Sequence, residues 1–187
     1  MLDDKSQAEI APHATVTQII VLTLFGGVLI FGAVVLFMPA DDRDGKLEIL
    51  SLISIGMAVM SVFMSFLVPK LIVKTNRNKI ANGDWSGDAT SGTVHGTDGG
   101  KLSAVFQMTT IVGSALLEGA AFFALVAYMQ EGHFAALVVV AVLMLGILFH
   151  FPTRSRIEGW VEAQLRLIDE ERNLSRNSFQ INRDPNR

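Results

Sequence analysis

Four long apolar segments constrain this chain more than any other feature of its sequence. They cover residues 15–38, 49–73, 102–129 and 134–151. A helix needs roughly 20 apolar residues to cross the hydrocarbon core of a bilayer, and each segment is close to that length. Half of the 187 residues are hydrophobic, which is too apolar for an ordinary soluble domain of this size. The sequence therefore predicts an all-α integral membrane protein with four transmembrane helices in residues 15–151.

Lys and Arg predict the orientation of these helices, because short loops rich in them stay on the cytoplasmic side of a membrane. Thirteen of the fifteen lie in the N-terminal tail, between residues 70 and 101 in and beside the second loop, and after Pro152. The remaining two, Arg43 and Lys46, lie in the first loop. We therefore expect a multi-pass protein of the inner (cytoplasmic) membrane whose termini, including a tail at residues 1–14, are both cytoplasmic.

Two segments are predicted to be mobile. Residues 76–100 form the second loop and hold six glycines among Ser, Thr and Asp. Such a composition buries too little apolar surface to offset the entropy of ordering the chain, so we expect a flexible cytoplasmic loop. Residues 175–187 are polar and are predicted to be a disordered tail.

Residues 152–174 are predicted to form an amphipathic helix after Pro152 ends the fourth apolar segment. Its apolar residues follow helical spacing: Ile157, Trp160, Val161, Leu165 and Ile168. Two placements fit this pattern. The helix lies along the cytoplasmic membrane interface, or it is a cytoplasmic helix that packs on the second loop or on a neighbouring subunit.

Glu118 is the one ionisable residue in the four segments once their ends are set aside. It lies near the middle of the third segment, where a carboxylate costs about 2.5–3.5 kcal/mol or more in lipid. We therefore expect the carboxyl group to be protonated, ion-bound or hydrogen-bonded inside the protein. Three polar residues share its helix face at spacings of three and four, and we expect them to line an ion- or proton-binding site: Gln107, Thr110 and Ser114.

The second apolar segment carries a face of small residues, which are Ser51, Ser54, Ala58, Ser61 and Ser65. Small residues let membrane helices approach closely, and their hydroxyl groups can hydrogen-bond across the contact. We expect this face to pack on the third segment, with Ser61 or Ser54 near Glu118. Five glycines are expected to mark other close helix contacts: Gly26, Gly27, Gly32, Gly113 and Gly119.

Composition excludes several classes of function. A net charge of −3 gives no basic surface for nucleic acid, and the absence of cysteine removes disulfides, thiolate nucleophiles and Cys-bound metal. The four histidines have no metal-ligand spacing, and Glu118 has no second intramembrane acid or base with which to share catalysis. We therefore expect no enzyme activity, no catalytic residues, no metal and no cofactor.

The third segment resembles a known carboxylate-bearing helix. Glu118 followed by Phe123, Ala124, Leu125 and Val126 reads E-x4-F-A-L-V, which is similar to the proteolipid c subunits of rotary ATP synthases. That resemblance implies an ion-binding carboxylate at mid-membrane beside a helix of small residues. The chain departs from the family in its long Gly-rich connection, in its two additional helices and in lacking a Gly-x-Gly-x-Gly run.

A wider resemblance covers the whole layout. The chain resembles small bacterial four-helix membrane proteins in three respects: its four apolar segments, the run Ala115-Leu116-Leu117-Glu118-Gly119 in the third segment, and Pro152-Thr153 after the fourth. This resemblance implies the topology alone. Residues 26–33 and 113–120 are identical at four of eight positions, which suggests two repeated hairpins.

Two functions fit these patterns. The leading hypothesis is a proton- or cation-linked membrane component that binds a proton or a monovalent cation at Glu118. The alternative is a non-catalytic scaffold or assembly protein in which Glu118 only fixes helix packing. The expected partner of either is the lipid bilayer, and the sequence leaves open a homo-oligomer or a larger membrane complex.

Overall fold

A computed structural model describes residues 4–38, 48–85 and 97–181, with side chains described between residues 8 and 174 of those ranges. The chain is helical throughout these ranges and forms no strand in them, which confirms the predicted all-α class. The five helices are α1 (Asp4–Phe37), α2 (Ile49–Asn82), α3 (Asp98–Glu131), α4 (Phe134–Phe149) and α5 (Arg154–Ile181).

Three helices, α1, α2 and α3, are long and apolar enough to cross a membrane. The number rises to four if α4 and α5 are counted as one broken span. Helix α4 has 16 residues, fewer than the roughly 20 of a straight span, because Pro152 has no amide hydrogen to continue the helix.

The helices extend into segments that were predicted to be irregular. Helix α1 begins inside the predicted tail, α2 and α3 reach into residues 76–100, and α5 continues into residues 175–187. The expected flexible loop and disordered tail are therefore helical at residues 76–82, 98–100 and 175–181. For α2 the reason is that its extra turns bury Ile80. The rest of both segments, residues 86–96 and 182–187, lies outside the described residues.

Local sequence explains where α2 and α3 end. Gly83 follows α2 with a φ of 81°, and Gly132 follows α3 with a φ of 69°, a region that only glycine enters without strain. The amide of Gly83 donates to the carbonyl oxygen of Ile80, and the amide of Asp84 donates to the carbonyl oxygen of Lys79. This Schellman pattern satisfies carbonyl groups that the last turn of a helix would leave unpaired.

The chain divides into two compact units. Unit 2 comprises Val16–Lys70 and Thr109–Pro152. Its core contains Val21 and Val28 of α1, Leu117 and Leu125 of α3, and buried residues of α4. Among the described residues, the large hydrophobic side chains that are exposed all belong to unit 2 except Leu71, Met108, Leu167 and Leu174. An apolar exterior of this kind suits a protein whose surroundings are lipid.

Unit 1 comprises Met1–Thr15, Leu71–Met108 and Thr153–Arg187. Its core is built from four helices, and the buried residues are Ile10, Ala14, Ile80, Leu102, Val105, Ile157, Val161 and Ile168. The apolar stripe of α5 therefore packs inside the protein, where Trp160 also meets Phe106 at a centroid distance of 5.3 Å. Within unit 1, Ile157, Val161 and Ile168 of this stripe are fully buried, and Trp160 and Leu165 are partly buried.

Arg172 connects three helices of unit 1. Its guanidinium group donates to the carbonyl oxygens of Ile80 and Ala81 at the end of α2 and forms an ion pair of 2.9 Å with Asp98 at the start of α3. Desolvation raises the pKa of Asp98, but hydrogen bonds and charge from Lys101 and Arg172 outweigh it, so that this pKa lies below its usual value. The carboxylate therefore stays charged and keeps α3 attached to α5.

We expect Ile168→Ala to destabilise unit 1 by about 2–5 kcal/mol, because the change leaves a cavity in its core. Leu174→Ala on the same helix is the matched control, since Leu174 is 69% exposed and its truncation should cost no more than about 0.5 kcal/mol. Both tryptophans, Trp85 and Trp160, pack against this core, so tryptophan fluorescence during denaturation follows unit 1. Equal effects of the two substitutions would contradict the buried stripe.

Candidate functional site

The candidate site lies on α3 around Glu118. Unit 2 takes α3 from Thr109 onward, and Glu118 lies near the middle of that part of the helix. Ser114, one turn earlier, is fully buried, and Thr110 is buried as well. Glu118 itself is half-buried, between the covered and the outward faces of α3.

The carboxyl group of Glu118 lies against α1. A Cβ atom placed on Gly27 would be 3.6 Å from Oε1 of Glu118 and 3.7 Å from the ring of Phe122. In the part of the chain that the structure describes, Glu118 forms no hydrogen bond and no ion pair. The hydroxyl group of Ser114 is likewise buried without a hydrogen-bond partner. The Ser114 hydroxyl group is therefore buried and unsatisfied, which buried polar groups rarely are, and the half-buried carboxyl group of Glu118 lies one helical turn away.

Gln107 takes part in a different contact. Its side-chain oxygen accepts a hydrogen bond of 2.6 Å from Nδ1 of His13, and both residues belong to unit 1. The structure therefore assigns Gln107 a local partner on α1 instead of a contact with Glu118. No hydrogen bond joins Gln107 to Glu118 among the described residues, so its part in the site stays a prediction.

Helix α2 contacts α3 through its serine face. Ser51, Ser54 and Ser65 are buried, and the hydroxyl groups of Ser54 and Ser65 donate to carbonyl groups of their own helix. Because Ser51 meets Glu131 and Ser65 lies next to Gly113, the antiparallel register puts Ser61 level with Glu118. No hydrogen bond joins Ser61 to Glu118 among the described residues, so its part in the site stays a prediction.

Helix α1 is a neighbour of Glu118 that the sequence did not pair with it. Besides Gly27, Gly32 lies 3.6 Å from Leu125, measured from the position of an added Cβ atom. Phe31 and Phe122 stack at a centroid distance of 5.4 Å. Of the glycines expected at close contacts, Gly26 and Gly119 have open space within 4 Å, and the reason is that they face away from the other helices.

His150 also contacts α3. A Cβ atom on Gly113 would lie 3.2 Å from Cδ2 and Nε2 of the imidazole ring, and 3.5 Å from the carbonyl oxygen of Ser65. Nδ1 of His150 donates to the carbonyl oxygen of Gly146 at 2.9 Å. The ring therefore fills the space that glycine leaves between α2, α3 and α4.

Glu131 is a structural residue that the sequence analysis did not single out. Its two carboxylate oxygens accept the backbone amides of Leu50 and Ser51 at 2.6 and 2.8 Å. A carboxylate at this position satisfies free amides of the first turn of α2 and opposes the positive end of its helix dipole. The contact fixes α2 on α3 and thereby sets the level of Ser61. The only sequence signal of this role was the position of Glu131 at the end of a helix, directly before a glycine.

Comparison of this chain with protein-family models, with curated proteins and with solved structures finds no match. The resemblance of α3 to proteolipid c subunits therefore rests on its sequence pattern alone.

Replacement of Gly113 by alanine should lower the midpoint of thermal unfolding in detergent, because the ring of His150 must move while Nδ1 remains bonded to Gly146. Gly119→Ala is the matched control on the same helix, since it meets open space and removes the helix cost of glycine. If both substitutions lower the midpoint equally, the contact between His150 and Gly113 does not hold in the folded protein.

Glu131→Ala should reduce thermal stability more than Glu131→Gln. Glutamine keeps one oxygen that can accept an amide hydrogen, whereas its NH2 group faces the second donor. Alanine leaves both amides of α2 without the carboxylate. The exposed Glu170→Gln should leave the unfolding midpoint unchanged when circular dichroism follows the three variants. A Glu131→Ala protein as stable as wild type would show that this cap contributes nothing.

Proposed function

We propose that this chain is a multi-pass protein of the inner membrane, with four crossing segments and both termini in the cytoplasm. Three to four helices long and apolar enough to cross, together with the apolar exterior of unit 2, support the crossing. The excess of Lys and Arg in the tails and the second loop supports the orientation. In this arrangement unit 1 lies in water, which suits its ion pairs and its polar surface.

Within that arrangement, Glu118 binds a proton or a monovalent cation. The observation that carries this proposal is a half-buried carboxyl group without a partner among the described residues, that of Glu118, one helical turn from the buried, unsatisfied hydroxyl group of Ser114. An ionised carboxylate without a partner is costly in a membrane, by about 2.5–3.5 kcal/mol on insertion scales. A bound proton or cation removes that cost, so the occupancy of the site follows the concentration of that ion.

Labelling with a hydrophobic carbodiimide tests the proposal, because the reagent reacts with a protonated carboxyl group that is reachable from lipid. We expect labelling of the wild-type protein in membranes to fall as the pH rises, and the Glu118→Gln protein to give no signal. Glu131→Gln is the matched control and should label like wild type, since the amides of α2 occupy the Glu131 carboxylate.

A second function is favoured by unit 1, whose four helices form a core of their own. In this alternative the chain is a scaffold or assembly protein that presents unit 1 to partners, and Glu118 only fixes helix packing. The same experiment separates the two functions. An absence of labelling at every pH, with Glu118→Gln folded and as stable as wild type, would reject the ion site and favour the scaffold.

A further inference from the structure

We propose that the turn between α3 and α4 is a pH-sensitive switch, in which a neutral His133 holds the first turn of α4 and protonation of its ring releases that turn. The switch consists of Glu131, Gly132 and His133, which all belong to unit 2. The inference goes beyond the proposed function, because none of its contacts involves Glu118. It comes from the hydrogen bonds that this turn makes with the first residues of α2 and α4.

His133 is the N-cap residue of α4. Its backbone is extended, with a φ of −78° and a ψ of 128°, and its Nδ1 atom accepts the amide hydrogen of Ala135 at 3.1 Å. The ring therefore satisfies one of the free amides with which a helix begins. The residues preferred at this position are Ser, Thr, Asp and Asn, none of which changes charge between about pH 5 and 8. A histidine cap does change charge in that range.

The capping bond exists in one protonation state of the ring. Nδ1 accepts a hydrogen bond with its lone pair, which requires the neutral imidazole with its proton on Nε2. A second proton on Nδ1 uses that lone pair, so two N–H donors then face each other. The positive charge also lies at the positive end of the α4 dipole, where a cation is unfavourable. The cap is therefore complete at a pH above the range in which histidine takes up a proton, and it is lost as the pH falls through that range.

The same turn also holds α2. Glu131 lies two residues before His133, and its carboxylate accepts the amides of Leu50 and Ser51. A protonated His133 is a cation next to this carboxylate in the chain, and it competes with the α2 amides for it. Protonation of one ring therefore weakens the attachment of α4 and of α2 together.

Other ionisable groups at this end of unit 2 are few. Glu48 precedes α2 and is exposed, and Tyr128 lies one turn before Gly132 on α3. The parts of α1 and α4 in unit 2, residues 16–37 and 134–149, carry no ionisable side chain. Five charged residues of the α1–α2 connection lie outside the described residues: Asp41, Asp42, Arg43, Asp44 and Lys46. Glu131 is thus the carboxylate closest to His133 along the chain.

The position of the turn allows it to respond to its surroundings. His133 is half-buried and is followed by Phe134, which is 71% exposed, so protons from solution can reach the ring. In the orientation proposed above, the turn lies on the side of the membrane opposite to the two termini. The switch would then report the pH of that side.

Exchange of the Ala135 amide hydrogen tests the switch directly in the wild-type chain. We expect its protection factor, measured by water-exchange NMR in detergent and corrected for intrinsic exchange, to fall about 3- to 30-fold from about pH 7.5 to about pH 5.5. The amide of Gly132 is the internal control, because it donates to the carbonyl oxygen of Tyr128 at 2.8 Å and makes no bond with the ring. An Ala135 protection factor that does not change with pH would overturn the proposal.

His133→Asn keeps a favoured N-cap side chain that does not titrate. We expect the midpoint of thermal unfolding of wild type to fall by a few degrees more than that of His133→Asn between the same two pH values. Carboxyl groups titrate in both proteins, so this difference isolates the ring. His133→Ala lacks the cap at either pH and should be less stable than wild type at about pH 7.5, with the weak pH dependence of His133→Asn. Equal pH dependence in wild type and His133→Asn would show that the ring is not the switch.

Discussion

Close approach of helix backbones to α3 is the interaction on which unit 2 depends. Glycine provides it on three sides. Gly27 and Gly32 let α1 lie close to α3, and Gly113 leaves room for His150 and the backbone of α2. Gly146 of α4 leaves room for Leu117. In the proposed membrane setting no hydrophobic effect drives the helices together, so this packing and a few polar contacts would hold them. The same closeness brings the carboxyl group of Glu118 against a neighbouring helix.

Much of the fold could be predicted from the sequence, because lipid requires long apolar helices and hydropathy detects them. Unit 1 could not. Its helical turns bury single residues such as Ile10, Ile80 and Leu102 among polar ones, a pattern that resembles a solvated tail or loop until the four helices meet. The apolar stripe of α5 was visible, but a stripe alone does not distinguish a protein partner from a membrane surface.

The candidate site was predicted in part for a similar reason. Glu118 is conspicuous because an ionisable residue in an apolar segment has few harmless explanations. Its neighbour Gly27 could not be predicted in this way, because glycine has no functional group. The distance between two helices also depends on tertiary packing, which residue spacing along one helix does not reveal. Glu131 was missed because its role depends on the free amides of α2, more than 75 residues earlier in the chain.

Arg172 has a consequence for how the sequence can vary. One guanidinium group holds the last carbonyls of α2 and the first acidic residue of α3, so α5 fixes both ends of the connection between these helices. The connecting segment need not position the helices itself. Because closing a longer flexible loop costs only about 0.6 kcal/mol per doubling of its length, insertions there are inexpensive. We therefore expect the α2–α3 connection to tolerate added length better than the helices that it joins.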